Sequence, residues 1–340
     1  MKELTFPIIL KQVISGEDIS AGQAHWAFGQ IMTGLWSESQ IGAILAALSA
    51  KGECVDEITG AAQAMREHVV KIDAGSLETI DTCGTGGTGL STLNISTAAA
   101  MVLAGAGAAV AKHGNRTNTR ASGSADVLKA LGVNIDAEPA TVERCLQEAK
   151  VCFCFAIRCH PAMKYAGPVR KQLGVRTIFN VLGPLTNPAG AKRQIMGVYD
   201  ESLTETIANV LGKLGSQRAM VVHADDGLDE LSITSPTKIS ELKNGLVTTY
   251  RVNCEDFSLT PASLDDLLVD SPEQSAQIIR TVLAGLPGPA RDIVILNAGA
   301  ALAVAGKAED IAAGVTKAAE SIDSGAAKNA LEKLIEISNT

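Results

Sequence analysis

The sequence has few aromatic side chains and no excess of positive charge. Aromatic residues make up 3% of the 340 residues, so the core must be built mainly from Ala, Val, Leu, Ile and Gly. Such small side chains suit close packing of helices on a sheet. The formal net charge of −8 gives no general attraction to nucleic acid or to anionic lipid. We therefore expect neither as a partner, and any site for an anionic substrate must be locally positive.

The sequence also lacks the usual signals for export or membrane insertion. The longest apolar run, residues 98–111, is rich in Ala and Gly and is too short to cross a bilayer. The first residues show no long apolar stretch followed by a small-residue cleavage site. The seven cysteines form no CxxC pair, and their number is odd. These features predict a protein of the reducing cytoplasm.

Three of the cysteines lie close together and next to a histidine. Cys152, Cys154 and Cys159 are followed by His160, which could indicate a metal site. However, residues 152–155 alternate Cys and Phe in the pattern of a buried strand. In such a strand a free cysteine behaves as a small apolar side chain, and we favour this interpretation.

Helical patterns fill the first 70 residues, whereas strands and helices alternate after about residue 73. Ser37 is a candidate cap before the helical repeat at residues 41–48, and residues 56–70 form another helical pattern. Further along the chain, predicted strands alternate with predicted helices: strands 79–82, 109–112, 151–156 and 219–223, and helices 96–105, 125–131 and 203–214. This predicts an α/β protein: a small all-helical N-terminal domain and a large α/β domain with a mainly parallel central sheet flanked by helices.

Residues 237–252 predict a two-stranded hairpin. Asn244 and Gly245 stand at its centre, and Asn-Gly is a strong signal for a tight turn between two antiparallel strands.

A glycine-rich segment directly follows the first predicted strand. Residues 84–89 fit the G-x-G-x-x-G spacing of dinucleotide-binding folds. Two features argue against such a fold. The next strand ends in Lys112 and His113 instead of an acidic residue, and the predicted helix begins only near Ser96. The segment is then either a simple tight turn or a loop that binds phosphate.

Three polar residues stand where that helix begins. Asn94, Ser96 and Thr97 could simply cap its free amides. The same position also offers a phosphate the amides and the positive dipole end of a helix, and the side-chain oxygens can bind a metal or ribose hydroxyls.

Two further polar segments follow predicted strands. Residues 112–116 carry three basic side chains, and residues 122–126 add hydroxyls, at the sheet edge where open α/β sheets bind ligands. This favours an anion site over ordinary surface charge. Residues 225–230 are acidic and form either a solvated turn or a Mg²⁺ site, since Mg²⁺ binds through carboxylates and substrate phosphates.

Taken together, four segments resemble the anthranilate phosphoribosyltransferase family over nearly the whole chain. They are residues 84–97 (GTGG to NIST), 112–126 (KHGNR to SGSAD), 179–188 (FNVLGPLTNP) and 225–230 (DDGLDE). The second is also similar to motifs of the pyrimidine nucleoside phosphorylases, whereas the third and fourth favour the transferase. The resemblance implies transfer of a phosphoribosyl group from phosphoribosyl pyrophosphate to anthranilate, with Mg²⁺, in tryptophan biosynthesis. The alternative is a paralogous phosphoribosyltransferase or nucleoside phosphorylase with another acceptor.

The same resemblance implies which residues bind each ligand. The residues implied for the donor are Gly84, Gly87, Thr88, Thr92, Asn94, Ile95, Ser96, Thr97, Lys112, His113, Gly114, Asn115, Arg116, Thr119, Arg120 and Ser124. Those implied for the acceptor are Gly84, Asn115, His160, Arg170, Gly183 and Pro184. The implied Mg²⁺ ligands are Ser96, Asp229 and Glu230. No side chain stands out as a general base.

The resemblance also implies a homodimer of two-domain chains. The small domain would comprise residues 1–72 and about 166–190, and it would provide the dimer contact and the acceptor side. The large domain, residues 73–165 and 191–340, would bind the donor and Mg²⁺.

The sequence departs from the family pattern at three positions. Thr88 stands where Asp is usual, which removes a carboxylate near the donor. Arg120 replaces a serine, and it either adds a phosphate partner or crowds the site. Ile157 stands where proline is usual, near the acceptor path. A catalytically silent relative that binds nucleic acid would show a basic surface and no metal pair, whereas this chain is acidic and keeps Asp229 and Glu230.

Overall fold

The computed structural model describes residues 4–117 and 121–340, so Thr119 and Arg120 lie outside the described residues. Within this part of the chain a seven-stranded sheet has the order β3-β2-β1-β4-β5-β6-β7. Its strands are β1 (Thr79–Asp81), β2 (Ala109–Gly114), β3 (Val151–Phe155), β4 (Arg193–Gly197), β5 (Arg218–Ala224), β6 (Thr237–Lys243) and β7 (Leu246–Val252). The first five are parallel, and β6 and β7 are antiparallel to their neighbours. The predicted mainly parallel sheet is confirmed.

Four helices precede the sheet, and the others lie between its strands or after them. The first four are α1 (Phe6–Ile14), α2 (Ala21–Met32), α3 (Glu38–Lys51) and α4 (Val55–Glu67). Those up to β5 are α5 (Ile95–Gly105), α6 (Ser124–Leu131), α7 (Pro139–Ala149), α8 (Ala156–Cys159), α9 (Met163–Leu173), α10 (Phe179–Leu182) and α11 (Leu203–Lys213). Four more close the chain: α12 (Pro272–Leu283), α13 (Pro289–Val304), α14 (Ile311–Asp323) and α15 (Ala326–Ser338). The helical N-terminal block is confirmed, and none of the described helices is long and apolar enough to cross a membrane.

Local sequence signals set several of these boundaries. Ser37 caps α3, as predicted: its Oγ accepts from the Gln40 amide at 3.4 Å, and Gln40 Oε1 accepts from the Ser37 amide at 2.9 Å. Between β6 and β7, Asn244 and Gly245 have φ of +54° and +77°, which fits the predicted hairpin turn. The hairpin extends the central sheet, because β6 pairs with β5 along its length.

Two predicted boundaries were wrong. The second strand runs on to Gly114, because Gly114 still pairs with Phe155 of β3. His113 is therefore a strand residue like Lys112, and each is 2% exposed. Helix α4 ends at Glu67 and not at residue 70, because the His68 backbone leaves the helical conformation.

The hydrophobic side chains form two clusters. One packs β1–β3 against α5–α7 and α12–α15. The other joins α1–α4 to α9, α10 and α11, and it includes Met196 of β4 and Val221 of β5. The helical block therefore packs directly on one part of the sheet. The returning segment contributes Ala166 and Val169 to this second cluster, while the domain boundaries given above stay a prediction.

Candidate functional site

The predicted ligand-binding segments follow the carboxyl ends of neighbouring strands. The glycine segment follows β1, residues 115–126 follow β2, His160 follows β3, and the acidic segment follows β5. Because β1 to β5 are parallel, these ends share one edge of the sheet, where open α/β sheets bind ligands.

The glycine segment and the acidic segment are joined directly. The Gly86 amide donates to Asp229 Oδ2 at 2.9 Å, and the Thr85 amide donates to the Gly197 carbonyl at 2.8 Å. A Cβ on Gly84 would lie 3.1 Å from Asp229 Oδ2. One on Gly197 would lie 1.6 Å from the Asp229 carbonyl oxygen, which no side chain can do. Glycine at these positions therefore allows the two segments to meet.

Glu230 lies at the beginning of α5, beside a buried lysine. Its Oε1 accepts from the Ser96 amide at 3.2 Å. Lys112 Nζ donates to Ser96 Oγ at 3.2 Å, and to Thr82 Oγ1 and the Thr82 carbonyl at 3.2 and 3.3 Å. One cation, one carboxylate and one hydroxyl are thus brought together at the positive end of a helix.

The polar residues before α5 do not all serve as simple caps. Asn94 makes no side-chain bond to the amides of α5. Its Oδ1 accepts from Ser122 Oγ at 2.6 Å and from Ser275 Oγ at 2.8 Å. The capping interpretation is wrong for Asn94, because these two hydroxyls satisfy its carbonyl oxygen instead. Thr97 Oγ1 is buried and has no hydrogen-bond partner within the described part of the chain.

The neighbouring positions offer mostly backbone groups. The Ile95 side chain is in the core at 1% exposure, so only its backbone could reach a ligand. Thr92 forms an antiparallel bridge with Leu268, which fixes the chain before α5. Thr88 Oγ1 accepts from the Leu90 amide at 3.3 Å.

The segment after β2 is hydrogen-bonded to the beginning of α6. The Asn115 carbonyl accepts from Ser124 Oγ and from the Ala125 amide, both at 3.2 Å. A Cβ on Gly114 would lie 2.2 Å from Ser124 Oγ, so only glycine fits there. The Arg116 guanidinium lies 5.7 Å from the ring of Phe155.

Two buried histidines lie in contact at the ends of β2 and β3. His160 Nε2 and His113 Nε2 are 3.1 Å apart, so one of them donates to the other. Burial lowers the pKa of His113 to about 3 and that of His160 to about 4, and the proximity of His160 adds to the shift at His113. Both imidazoles are therefore neutral at physiological pH.

A buried carboxylate supports the same strand from the other side. Asp81 Oδ1 accepts from the His113 amide at 3.0 Å, and Oδ2 accepts from Asn187 Nδ2 at 2.7 Å. Burial raises the pKa of Asp81 to about 6. Asp81, Cys83 and His113 lie close enough to form a metal site. However, each Asp81 oxygen already accepts a hydrogen bond, and burial raises the pKa of the Cys83 thiol, which disfavours the thiolate that a metal needs.

Arg170 lies on α9 and contacts Phe179 of α10. Its guanidinium lies 5.3 Å from the Phe179 ring, and burial lowers its pKa. Across residues 4–117 and 121–340 it forms no ion pair, and no hydrogen bond joins it to Asn115. A half-buried guanidinium of this kind is a ready partner for the carboxylate of a ligand.

The other acceptor-side residues have mixed exposure. The Gly183 carbonyl accepts from Thr186 Oγ1 at 2.8 Å, and the Pro184 carbonyl accepts from Gln194 Nε2 at 2.8 Å. The first bond closes the short turn of residues 183–185, and the second ties it to β4. Ile157, which replaces the family's proline, is 61% exposed.

Several residues that hold this edge together could not be identified from the sequence. Asp81, Thr82 and Asn187 lie inside predicted segments, but nothing in the pattern predicts the bond from Asn187 to Asp81 or those from Lys112 to Thr82. Ser275 lies far along the chain and has no local signal. Arg176 contacts the glycine segment, but in the sequence it looks like an ordinary surface cation.

A separate cavity of about 790 Å³ lies at the opposite edge, near the amino ends of β1 and β4. Its charged lining residues are of both signs: Arg66, Lys71, Asp73, Glu78, Glu143, Lys192 and Arg193. It contains none of the predicted site residues. We place the candidate site at the carboxyl edge, where the convergent polar groups are.

Comparison with known proteins identifies the family. Residues 7–69 match the helical bundle domain of the glycosyl transferase family, and residues 76–328 match its a/b domain. The chain is 50% identical over 331 residues to the anthranilate phosphoribosyltransferase of Symbiobacterium thermophilum, covering 97% of each chain.

Solved structures agree over the whole length. The crystal structure of anthranilate phosphoribosyltransferase from Thermus thermophilus superposes with a TM-score of 0.93 at 39% identity, covering 97% of this chain and 99% of that one. The Saccharomyces cerevisiae enzyme in complex with phosphoribosyl pyrophosphate and Mg superposes with a TM-score of 0.89 at 28% identity, covering 99% of each. The chain therefore belongs to the anthranilate phosphoribosyltransferase family.

Proposed function

We propose that this protein transfers the phosphoribosyl group of phosphoribosyl pyrophosphate to the amine of anthranilate. The products are N-(5-phosphoribosyl)anthranilate and diphosphate, in the tryptophan biosynthetic pathway. The observation that carries the proposal is the direct bond between the glycine segment and the acidic segment, Gly86 amide to Asp229 Oδ2 at 2.9 Å. It supports the proposal because the backbone that we assign to phosphate lies beside a carboxylate that we assign to the metal, as a diphosphate donor requires.

The donor would lie against the glycine segment and the beginning of α5. Backbone amides and the helix dipole favour phosphate there. Lys112, held between Thr82 and Ser96, adds a buried positive charge. The acidic protein thus provides a locally positive site for an anionic substrate.

The residues present fit a magnesium ion. Asp229 and Glu230 offer carboxylate oxygens and Ser96 a hydroxyl, which are the hard oxygen ligands that Mg²⁺ prefers. Ser96 and Glu230 are adjacent, with 3.2 Å between the Ser96 amide and Glu230 Oε1. When bound, Mg²⁺ supplies neutralisation of the charge that develops on the leaving diphosphate.

The reaction breaks the bond between the ribose carbon and diphosphate and forms a bond from the same carbon to nitrogen. The electron pair leaves with diphosphate, and Lys112 together with the backbone amides stabilises that charge. The ribose carbon passes through an oxocarbenium-like state, and the amine attacks from the opposite face with inversion. Because an aromatic amine is a weak nucleophile, its orientation matters more than base catalysis. Once the bond has formed, the nitrogen releases one proton to the departing diphosphate or to solvent, and we assign no general base.

The acceptor would be held by its carboxylate. Arg170 supplies a half-buried guanidinium whose pKa is lowered by burial and which the ring of Phe179 supports. Such a cation can grip a carboxylate with two parallel hydrogen bonds. The neutral imidazoles of His113 and His160 suit an aromatic ring beside them, because they add no charge there.

We also propose a homodimer that works in the cytoplasm. Exposed apolar side chains of the helical block, Ile8, Ile14 and Leu35, are 41%, 68% and 69% exposed, which favours burial against a second copy. All seven cysteines are free, as suits a reducing compartment. Analytical ultracentrifugation of the wild type and of Leu35→Glu tests the dimer.

Product analysis tests the reaction itself. The protein is incubated with Mg²⁺, phosphoribosyl pyrophosphate and anthranilate, and the products are quantified by mass spectrometry and a diphosphate assay. The proposal predicts equal amounts of phosphoribosyl anthranilate and diphosphate. A nucleoside phosphorylase would instead cleave a nucleoside with inorganic phosphate, so that activity in a parallel reaction would contradict the proposal.

A further inference from the structure

Arg176 reaches from the chain after α9 to the glycine segment after β1. Its Nη2 donates to the Gly87 carbonyl at 2.7 Å, and its guanidinium carbon lies 4.2 Å from the centre of the Tyr199 ring. Its own carbonyl accepts from Ser49 Oγ of α3 at 3.0 Å. One residue therefore connects the helical block, the segment after β4 and the glycine segment.

The glycine segment is held at two peptide groups, that between residues 85 and 86 and that between residues 87 and 88. Asp229 accepts from the Gly86 amide at 2.9 Å, and Arg176 donates to the Gly87 carbonyl at 2.7 Å. Both bonds involve a charged side chain, and such bonds are shorter and stronger than neutral ones. Gly87 has a φ of +81°, a conformation that favours glycine, and a Cβ there would lie 3.9 Å from Arg176 Nη2, so the segment passes close to the arginine.

The ring of Tyr199 holds the guanidinium in place. Tyr199 follows β4 and packs against the second hydrophobic cluster, which includes α1–α4. This packing holds its ring in position. A planar guanidinium stacks on such a ring, whereas an ammonium group cannot stack and also reach the carbonyl in the same way. The geometry is therefore specific to arginine.

The position of Arg176 in the chain links the two substrates. The segment runs from α9, which carries Arg170, through the Thr177 amide, which donates to Asn180 Oδ1 at 3.0 Å, into α10. Arg176 therefore stands in the chain between Arg170, which we assign to the acceptor, and α10, while its own side chain contacts the glycine segment.

We propose that Arg176 is a positioning residue for the donor: it fixes the peptide groups of residues 86–88 so that they face the diphosphate. This inference rests on the proposed function for the identity of the donor. Arg176 acts through the Gly87 carbonyl and is not itself a catalytic residue.

Calorimetry with phosphoribosyl pyrophosphate and Mg²⁺ tests the inference, together with steady-state kinetics and thermal midpoints. Arg176→Ala should weaken donor binding and raise the KM for the donor about tenfold, the usual loss for a charge-assisted hydrogen bond. The KM for anthranilate and the thermal midpoint should stay at wild-type values. Lys171→Ala, an exposed cation on the neighbouring α9, is the matched control and should bind the donor as the wild type does.

Two further variants separate orientation from charge. Tyr199→Phe keeps the ring and should bind the donor normally, whereas Arg176→Lys keeps the charge but not the stacking and should recover binding only in part. Full recovery in Arg176→Lys would mean that charge alone acts, and it would overturn the positioning role. So would normal donor binding in Arg176→Ala, or an equal rise in both KM values. If the wild type itself fails to bind the donor, the proposed function fails first and the donor role of Arg176 fails with it.

Discussion

The Asp229 carboxylate and the Gly86 amide form a hydrogen bond of 2.9 Å across 143 positions of sequence. This bond joins the segments after β1 and β5, which are not neighbours in the sheet, because β4 lies between them. The crossing is possible because Gly197 at the end of β4 has no side chain in the way. The segment that we assign to phosphate and the segment that we assign to the metal are therefore joined by a direct hydrogen bond.

The acidic pair should be essential for turnover. We expect Asp229→Asn and Glu230→Gln each to lower kcat/KM by about 100-fold or more, because the charge on the leaving diphosphate would lose its metal-mediated neutralisation. Steady-state rates at increasing Mg²⁺ concentration measure this. Asp225→Asn is the control, since Asp225 is exposed and pairs with Arg251 outside the site. Wild-type kinetics in either acidic variant would remove that residue from the metal site.

Replacement of Gly197 by alanine should disrupt the contact between the acidic segment and the glycine segment. A Cβ there would meet the Asp229 carbonyl at 1.6 Å, so the acidic segment must move away from the glycine segment. We expect Gly197→Ala to lose most activity and to unfold at a lower temperature. Gly29→Ala places the same methyl group in open space on α2, and we expect it to be neutral or slightly stabilising. Equal activity of the two variants would show that the approach of Asp229 to Gly84 and Gly86 does not matter.

Arg170 should act mainly on the acceptor. Removal of a charged partner from a carboxylate costs roughly 1.5–3 kcal/mol, so Arg170→Ala should raise the KM for anthranilate at least tenfold. Donor binding should stay unchanged. Arg170→Lys, which keeps the charge but not the fork geometry, should fall between the two. A rise in the KM for the donor alone would contradict the assignment of Arg170 to acceptor binding.

The histidine pair predicts a loss of stability in acid. Burial lowers the pKa of His160 to about 4, whereas in the unfolded chain it titrates near 6.5. Between these values the unfolded state binds more protons, so the free energy of unfolding falls as the pH falls through this window. His160→Gln should make the dependence shallower, by at most about 1.4 kcal/mol per pH unit. Denaturant unfolding at several pH values measures it.

Asp81 changes the pH dependence of the free energy of unfolding in the opposite direction. Burial raises its pKa to about 6, so its contribution is present below its unfolded value and is lost as the pH rises towards 6. Because Asp81 is present in both proteins, the difference between the wild type and His160→Gln isolates the histidine. If the free energy of unfolding depends on pH in the same way in the wild type and in His160→Gln, the assignment of a buried neutral His160 is contradicted.

Much of the fold could be predicted because its elements follow the ordinary signals of periodicity, capping and turns. The capped α3, the hairpin at Asn244 and the buried strand at residues 151–155 are examples. Strand β4 was not predicted, because two of its five residues are polar. Arg193 bonds to the Val304 carbonyl at 3.0 Å and Gln194 to the Pro184 carbonyl at 2.8 Å, partners that only the tertiary structure supplies.

The site was predictable at the level of segments but not of contacts. Lys112 was predicted to end the strand and His113 to lie beyond it, yet both are buried in β2, where Lys112 Nζ donates to Thr82 and Ser96 and His113 Nε2 contacts His160. Such compensation depends on residues distant in sequence. For the same reason the sequence indicated a helix cap at Asn94, and the bond from Ser275 to Asn94 could not be predicted.

The most direct test of the account is the loss of anthranilate fluorescence when purified protein is mixed with phosphoribosyl pyrophosphate, Mg²⁺ and anthranilate. The account predicts rapid loss in the wild type that stops when Mg²⁺ is chelated, and a loss slower by about 100-fold or more in Asp229→Asn. It would then follow that Thr88 and Ile157 are tolerated departures from the family pattern. A wild type that binds the donor but leaves the fluorescence unchanged would contradict anthranilate as the acceptor and identify a phosphoribosyltransferase for another amine or base.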